Sequence, residues 1–405
     1  MNRSPSDIPE RLSQLQRRGI RLELESVRKV AKALDLLSFP ARVLHVCGTN
    51  GKGSVCWVAD SLLREHGFKV GRYMSPHLQR FSERIVVDNK QIEDETLDRL
   101  SGIVLDCSET VKCPLTFFEA TTLVALLFFK EKKVDYLVLE AGMGGRLDAT
   151  NILDGDVVAL PSIGIDHAEW LGNSEEAITR EKCGMLKPGT LLVSGPLSSS
   201  LERVVEEEVV KHKCGWERWG RDFSLTPDWR FKSNGYVMTI RHPLDAIYQQ
   251  VNAGVALAAV EKLLPKFNDS SVQRAFENVE LPGRFEWVNP NLCLDVAHNP
   301  HGVQALLSAL PSDQELEFWF AASRGKDIHS MIDLLQSRGK IYYLNVAHER
   351  LMNELEFRNT FPDLSSKISG VINIEEVRWN RLSRPTVICG SCFLIGEVKQ
   401  RMERG

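Results

Sequence analysis

A glycine-rich loop with one lysine and one serine is the clearest chemical feature of the sequence. Residues 48–54 read Gly-Thr-Asn-Gly-Lys-Gly-Ser, between a short apolar run and a helical pattern that continues to about residue 63. Glycines let backbone N–H groups point at phosphate oxygens, and the helix N-terminus adds partial positive charge. Lys52 adds a full charge and Ser54 a hydroxyl for phosphate or Mg²⁺. Although Gly53 separates the two, unlike in the common phosphate loop, the pattern favours a nucleotide phosphate over a tight turn.

Carboxylates and imidazoles that could bind a cation follow several apolar runs. Glu140 ends one such run and precedes three glycines within four residues, while Asp166 and His167 end another. Ser75 stands at the end of the run 70–74. A hard cation prefers oxygen ligands, so Glu140 indicates a metal site. For Ser75 an ordinary Ser-Pro turn stays open, and for His167 a structural role.

Two charged side chains lie where an apolar helix is predicted. Lys182 stands in a helical stretch that ends at 187–188. A lysine there either extends to solvent or pairs with a carboxylate, or else loses its proton and reacts with CO₂ to form an anionic carbamate. Glu119 opens the apolar helix after residue 116, where it either faces a substrate or complements the helix dipole.

A second group of polar residues stands near residue 290. Asp295 and His298 follow the apolar run 292–296, and a helix is predicted from Pro300. Arg284 precedes them at a predicted hinge, where either a nucleotide contact or an interdomain salt bridge fits.

These residues are positioned by alternating strands and helices. Strands are predicted at 43–47, 70–74, 134–139, 156–160, 292–296, 317–321, 341–345 and 386–389. Such alternation predicts an α/β fold with a mainly parallel sheet, which binds ligands beyond the carboxyl ends of its strands. Asn234-Gly235 predicts a small hairpin, and a helix is expected at 248–264. We place the domain boundary so that residues 1–284 form a large domain and 285–405 a smaller one.

Composition excludes several classes of protein. The chain has 405 residues with 50 Lys and Arg against 54 Asp and Glu, so it lacks the basic footprint of a nucleic-acid binder. No apolar run approaches the roughly 20 residues of a membrane span, and the N-terminus lacks a signal pattern. The odd count of nine cysteines indicates reduced thiols, with Cys389 and Cys392 packed at a turn. We therefore expect a cytoplasmic protein that binds neither nucleic acid nor membrane.

The motifs, taken together and in order, resemble those of folylpolyglutamate synthase/dihydrofolate synthase, a family of the ATP-dependent Mur ligase superfamily. The resemblance runs from about residue 20 to 396 and is carried by GTNGKGS, SPHLQRFSERI, FFEATT, LEAGMGGRLDATN, IGIDHAEWLG, EKCGMLKPG, LPGRFEWV and LDVAHNPHG. It implies an N-terminal P-loop ATPase domain with a mainly parallel sheet and a smaller, Rossmann-like C-terminal α/β domain.

The resemblance also implies an activity. A carboxylate of dihydropteroate or of a reduced folate would take the γ-phosphoryl group of ATP to form an acyl phosphate. The amine of L-glutamate would then displace phosphate. ATP as co-substrate, two Mg²⁺ ions and a monomeric state belong to this expectation.

Site residues follow from the resemblance motif by motif. ATP would be bound by Asn50, Gly51, Lys52, Gly53, Ser54, Asn252, Arg284 and Asp295. Mg²⁺ would be bound by Ser75, Glu140 and His167. Lys182 would be carbamylated, and Lys52, Lys182 and His298 would be catalytic. The pterin pocket would be lined by Thr116, Phe117, Phe118, Glu119, Leu147, Asp148 and Ala149.

One departure bears on the substrate, and two other functions stay open. Residues 21–26 read Arg-Leu-Glu-Leu-Glu-Ser where the family has a glycine-containing pterin loop, written roughly as LGLER. A peptidoglycan-type Mur ligase would act on a UDP-linked substrate, but the loop at residue 48 leaves too few residues for its UDP-binding domain. A non-catalytic ATP-binding regulator on the same fold would be expected to lose its metal ligands or Lys182.

Overall fold

The computed structural model describes residues 8–19 and 21–404. They divide into two compact units. The larger comprises the described residues up to Pro76, Arg80–Leu244 and Gln249–Val279. The smaller comprises His77–Gln79, Asp245–Tyr248 and the described residues from Glu280 onward. The domain limits 1–284 and 285–405 stay a prediction.

The main sheet of the larger unit contains eight of the described strands. These are β1 (Arg42–Val46), β2 (Val70–Tyr73), β3 (Ile85–Val87), β4 (Lys90–Gln91), β5 (Tyr136–Glu140), β6 (Val157–Leu160), β7 (Leu191–Ser194) and β8 (Gly215–Arg218). Their order is β4-β3-β2-β5-β1-β6-β7-β8, and only the pairs formed by β3 are antiparallel. Glu140 of β5 pairs with Val46 of β1, so both strands end at one edge of the sheet.

Helices cover this sheet, because alternate apolar residues of its strands face opposite sides. Val43, Leu137 and Leu139 pack into one core, while Leu44 and Val46 pack into another. The helices of this part of the chain are α1 (Glu10–Ser13), α2 (Glu25–Ala33), α3 (Lys52–Glu65), α4 (Asp94–Thr110), α5 (Phe117–Lys132), α6 (Ala168–Leu171), α7 (Glu175–Cys183), α8 (Ser199–His212), α9 (Ile247–Leu263) and α10 (Asp269–Asn278).

A small antiparallel sheet precedes α9. It contains β9 (Phe223–Leu225), β10 (Arg230–Ser233) and β11 (Tyr236–Thr239). Asn234 and Gly235 join β10 to β11 with positive φ angles of 37° and 86°, as a tight hairpin turn requires. The predicted hairpin is therefore confirmed.

The smaller unit is a second α/β layer structure. Its strands are β12 (Arg284–Asn289), β13 (Leu292–Asp295), β14 (Leu316–Phe320), β15 (Gly339–Asn345), β16 (Ile368–Asn373) and β17 (Thr386–Cys389). Their order is β12-β13-β17-β14-β15-β16, and only β12 runs antiparallel to its neighbour. The helices are α11 (Pro300–Ala309), α12 (Ile328–Gln336), α13 (Glu354–Thr360) and α14 (Cys392–Arg404).

The predicted fold class is confirmed, and each predicted strand lies within two residues of an observed one. The helix that carries Lys182 was predicted to reach 187–188, which is wrong: α7 ends at Cys183. Gly184 follows, and Arg146 packs so close to it that a Cβ would lie 2.3 Å from the Arg146 Cβ. Through the described part of the chain, no helix combines the length and apolar character that crossing a membrane requires.

Candidate active site

The loop between β1 and α3 has a backbone shaped for close approach. Gly51 has a left-handed φ of 83°, and a Cβ there would lie 2.1 Å from Asn252 Oδ1. Gly48, with φ 146°, lies against Pro161 and the carbonyl of Ser162, each 3.2 Å from where its Cβ would be. Both positions therefore require glycine.

Hydroxyl groups fix this loop to the segment after β6. Thr49 Oγ1 donates to the carbonyl of Gly164 at 2.8 Å and accepts from its N–H at 3.0 Å. Ser162 Oγ accepts from the N–H of Asn50 at 3.0 Å and donates to its carbonyl at 3.0 Å. The loop is thus held in shape by the protein itself, so a ligand does not have to order it.

Two lysine ammonium groups converge on this loop. Lys52 Nζ donates to the carbonyls of Gly48 at 3.1 Å and Thr49 at 3.0 Å, and Lys182 Nζ donates to that of Gly48 at 2.8 Å. No carboxylate of the described residues lies within salt-bridge distance of either ammonium. The Lys182 side chain is buried, and burial, followed by the charge of Lys52, lowers its pKa to about 8. Two cations sharing one carbonyl make a centre that favours an anion.

The glycines after Glu140 let α7 approach. A Cβ at Gly145 would lie 2.8 Å from the carbonyl of Lys182 and 2.9 Å from that of Glu181. Arg146 N–H donates to the Glu181 carbonyl at 2.8 Å, and Asn151 Nδ2 donates to the Gly184 carbonyl at 3.2 Å. The loop from 140 to 151 therefore positions Lys182.

The predicted metal ligands lie on three elements of the larger unit. Glu140 is the buried last residue of β5, and its Oε2 accepts from the N–H of Ser75 at 3.0 Å. His167 directly precedes α6 with a left-handed φ of 52°, and its side chain is 40% exposed. Within 8–19 and 21–404, no three His, Cys, Asp or Glu side chains form a metal cluster. A carboxylate, a hydroxyl and an imidazole fit a cation that takes its other ligands from a bound phosphate or water.

Asp166, which the sequence analysis indicated as a possible cation ligand beside His167, received no role from the family resemblance. Its Oδ1 accepts from the N–H of His167 at 2.9 Å, and its charge acts against the lowering of the Lys182 pKa. The sequence signal was its position directly before the histidine.

Glu119 stabilises the N-terminus of the helix that it opens, as one of its two interpretations predicts, while its role toward a substrate stays a prediction. Its Oε2 accepts from the N–H of Thr116 at 2.7 Å, and Thr116 Oγ1 accepts from the N–H of Glu119 at 3.3 Å, forming a capping box for α5. The same oxygen accepts from Arg21 Nη2 at 3.1 Å. Its buried Oε1 has no hydrogen-bond partner among the described residues.

Phe118 of the first predicted pterin segment packs against Gly142, where a Cβ would lie 2.6 Å from the Phe118 ring. Phe117 packs edge-on against Phe81 at 5.9 Å. Asp148 is buried and accepts from the N–H groups of Met143 at 3.1 Å and Thr150 at 2.9 Å, while burial raises its pKa. Leu147 is half-buried and Ala149 is buried beside it.

Asn252 is oriented by a glutamine that the sequence analysis did not single out. Asn252 Nδ2 donates to Gln249 Oε1 at 2.9 Å, which leaves Asn252 Oδ1 facing Gly51. Gln249 is fully buried in α9, and its Nε2 has no hydrogen-bond partner among the described residues. The spacing of three residues on a helix was the available signal.

We predict that Gln249 acts through Asn252. Gln249→Met keeps the volume but removes a hydrogen bond worth about 1 kcal/mol, so KM for ATP should rise about fivefold in steady-state assays. In an Asn252→Ala background, Gln249→Met should cause no further rise in the KM for ATP. Gln250→Met is the matched control, because its amide bonds to the carbonyl of Thr226 instead. Additive effects would show that Gln249 does not act through Asn252.

The smaller unit brings together three predicted residues at the end of β13. Asp295 pairs with Arg284 across the ladder, and its carboxylate accepts from Tyr248 at 2.7 Å and from the N–H of Ala297 at 2.7 Å. Burial raises the pKa of Asp295. His298 Nδ1 lies 3.0 Å from the carbonyl of Val296, so Nδ1 carries the proton. Arg284, predicted at a hinge, is instead the first residue of β12.

Comparison with known proteins identifies relatives of this arrangement. The Mur ligase middle domain family matches residues 46–190. The dihydrofolate synthase/folylpolyglutamate synthase of Escherichia coli is 35% identical over 335 residues, which cover 80% of this chain and 78% of the relative.

Solved structures are similar over nearly the whole chain. Escherichia coli FolC in complex with DHPP and ADP has a TM-score of 0.88 at 30% identity, with 99% of each chain covered. The bifunctional folylpolyglutamate synthase/dihydrofolate synthase of Yersinia pestis, complexed with AMPPNP and Mn ion, has a TM-score of 0.86 at 29% identity. The match covers 99% of this chain and 100% of the Yersinia pestis chain.

Proposed function

Because this chain belongs to the folylpolyglutamate synthase/dihydrofolate synthase family, we propose that it joins L-glutamate to both dihydropteroate and reduced folates. The chain is an ATP-dependent ligase of folate metabolism. The observation that supports the reaction best is the convergence of Lys52 and Lys182 on the carbonyl of Gly48 within a preformed phosphate loop. Relatives aligned over most of their length favour this function over a UDP-linked substrate or a non-catalytic regulator.

The phosphate loop binds the triphosphate in this proposal. Residues 50–54 present N–H groups, and Lys52 moves from the loop carbonyls to the phosphate oxygens as the γ-phosphoryl group transfers to the substrate carboxylate and ADP leaves. Asn252 contacts ATP from α9. Arg284, Asp295 and His298 supply further contacts.

Ser75, Glu140 and His167 fit Mg²⁺, and we propose that they hold two ions. A divalent ion bound there supplies charge neutralisation for the transferring phosphoryl group. Glu140 contributes full negative charge at the edge where β1 and β5 end, and the Ser75 N–H orients its carboxylate.

Lys182 is placed for carbamylation, which needs an uncharged amine. Its pKa of about 8 lies below the ordinary value of 10.5, because burial disfavours the ammonium form. The carbamate would carry negative charge next to Lys52 and bring an additional oxygen ligand to the site.

We predict that carbamylation depends on pH in one direction. The neutral fraction of Lys182 rises about tenfold per pH unit below its pKa. With bicarbonate adjusted at each pH to keep dissolved CO₂ constant, reactivation of CO₂-depleted enzyme should therefore speed up until about pH 8 and then level off. Because the folded pKa is the lower one, the cost of burying Lys182 is fully present below about pH 8 and is lost as the pH rises toward 10.5. Stopped assays after bicarbonate addition measure the rate. Reactivation at equal rates from pH 6 to 8 would contradict the assignment.

Thr116–Glu119 and Leu147–Ala149 are proposed to line the pterin pocket, with Glu119 Oε1 as a free acceptor for the ring amino group. Arg21 neutralises part of the Glu119 charge. We further propose that residues 1–284 are the ATP-binding catalytic domain, that 285–405 are a C-terminal α/β domain, and that the enzyme is a cytoplasmic monomer.

The test is ADP release with MgATP and L-glutamate, supplying dihydropteroate or tetrahydrofolate separately. Turnover with both is the expected result. Turnover with dihydropteroate alone would mean a dihydrofolate synthase, and with tetrahydrofolate alone a chain-extending enzyme whose pocket is altered by residues 21–26. Turnover with neither, despite ATP binding, would contradict the proposed substrates.

A further inference from the structure

We propose that the smaller unit carries a second ligand site, for a small organic monoanion with an apolar part. A cavity of about 430 Å³ lies between β14, the end of β16 and the connection from β16 to β17. Its lining includes Trp319, Val371, Arg378, Arg381 and Leu382, and none of residues 284–301. The site is therefore separate from the residues proposed to contact ATP.

A buried donor without a partner lines this cavity. Trp319 is 6% exposed, and its Nε1 has no hydrogen-bond partner among the described residues. Buried indole N–H groups normally have an acceptor. A ligand in the cavity would provide the missing acceptor for the indole N–H of Trp319.

Two arginines at the cavity have uncompensated charge. In the part of the chain that the structure describes, the guanidinium groups of Arg378 and Arg381 form neither an ion pair nor a hydrogen bond, whereas Arg384 and Arg401 of the same unit pair with glutamates. A guanidinium fork matches a carboxylate or sulfonate group.

The remaining lining selects the class of anion. Trp319 packs against Trp379 with ring centroids 6.3 Å apart, and with Val371 and Leu382 it provides an apolar wall. Glu376 also lines the cavity and would repel a dense polyanion such as a polyphosphate. An aromatic or branched monocarboxylate satisfies the arginines, the indole N–H and the wall together.

The test uses anilinonaphthalene sulfonate as a fluorescent probe on the full chain, with saturating MgADP and tetrahydrofolate present to occupy the ligase site. Arg378→Ala/Arg381→Ala should weaken probe binding about tenfold or more. Trp319→Phe, which keeps the ring contact but removes the N–H, should weaken it about threefold. Arg350→Ala is the control, because Arg350 is an exposed arginine of the same unit outside the cavity lining, and it should change nothing.

Competition then identifies the ligand class. Benzoate should displace the probe, and inorganic phosphate at the same concentration should not. Equal affinity of the probe for the double arginine variant and the parent chain would overturn the site. Displacement by phosphate as effective as that by benzoate would overturn the organic class, and absence of probe binding would overturn the proposal as a whole.

Discussion

Glu140→Gln should lower kcat about 1,000-fold while the protein stays folded, because the change removes charge stabilisation worth about 4 kcal/mol at the cation site. Glutamine has nearly the same volume, and its Oε1 can still accept the hydrogen bond from the N–H of Ser75. Only the negative charge is lost. Steady-state ADP release measures kcat, and thermal unfolding reports the fold.

Glu261→Gln is the matched control for this prediction. Glu261 is a half-buried carboxylate of the larger unit that accepts a hydrogen bond from Ser233 Oγ at 2.6 Å, on the small antiparallel sheet. Its loss should affect stability modestly and leave kcat unchanged. Retained activity in Glu140→Gln, or an equal loss in Glu261→Gln, would refute the assignment of Glu140 as a metal ligand.

Lys182→Ala should lower kcat about 100-fold or more, since it removes the side chain that we propose carries the carbamate beside the phosphate loop. The shortened side chain leaves space, so added acetate should restore part of the activity by supplying a carboxylate in place of the carbamate. Assays with and without acetate measure this rescue.

Lys187→Ala controls for the loss of a lysine whose pKa is lowered by burial. Lys187 is half-buried and lies five positions after Lys182. We expect near-normal kcat and no response to acetate. If Lys182→Ala kept its activity, or lost it without any rescue by acetate, the carbamate would not be the functional form of this residue.

The local sequence was sufficient to predict the strand and the helix on either side of the phosphate loop. An apolar run followed by glycines and a helical pattern predicted β1 and α3 closely. The edge strands β8 and β12 were not predicted, because their sequences lack such a pattern. The strand β8, Gly215–Arg218, has no fully buried residue, so its sequence lacks an apolar pattern. The strand β12 depends on antiparallel pairing with β13, which the sequence pattern did not reveal. Arg284 was therefore interpreted as a hinge residue and not as part of a strand.

The site was predicted only where its motifs are local. Residue type and position singled out Glu140, His167 and Lys182 as candidates and the resemblance added their roles, but spacing alone did not reveal that Lys52 and Lys182 meet at one carbonyl. The contact of Arg21 with Glu119 joins residues that are 98 positions apart, so it depends on tertiary packing. The pKa of Lys182 could not be predicted from the sequence either, because it is lowered by the removal of water around the buried ammonium group.

The central claim is that ATP activates a carboxylate for attack by glutamate, and oxygen tracing tests it most directly. Dihydropteroate labelled with ¹⁸O in its carboxylate is incubated with MgATP, L-glutamate and the enzyme, and the phosphate released is analysed by mass spectrometry. An acyl phosphate intermediate predicts one ¹⁸O atom in phosphate for each amide formed. Amide formation with unlabelled phosphate, or ATP hydrolysis without amide, would contradict the account.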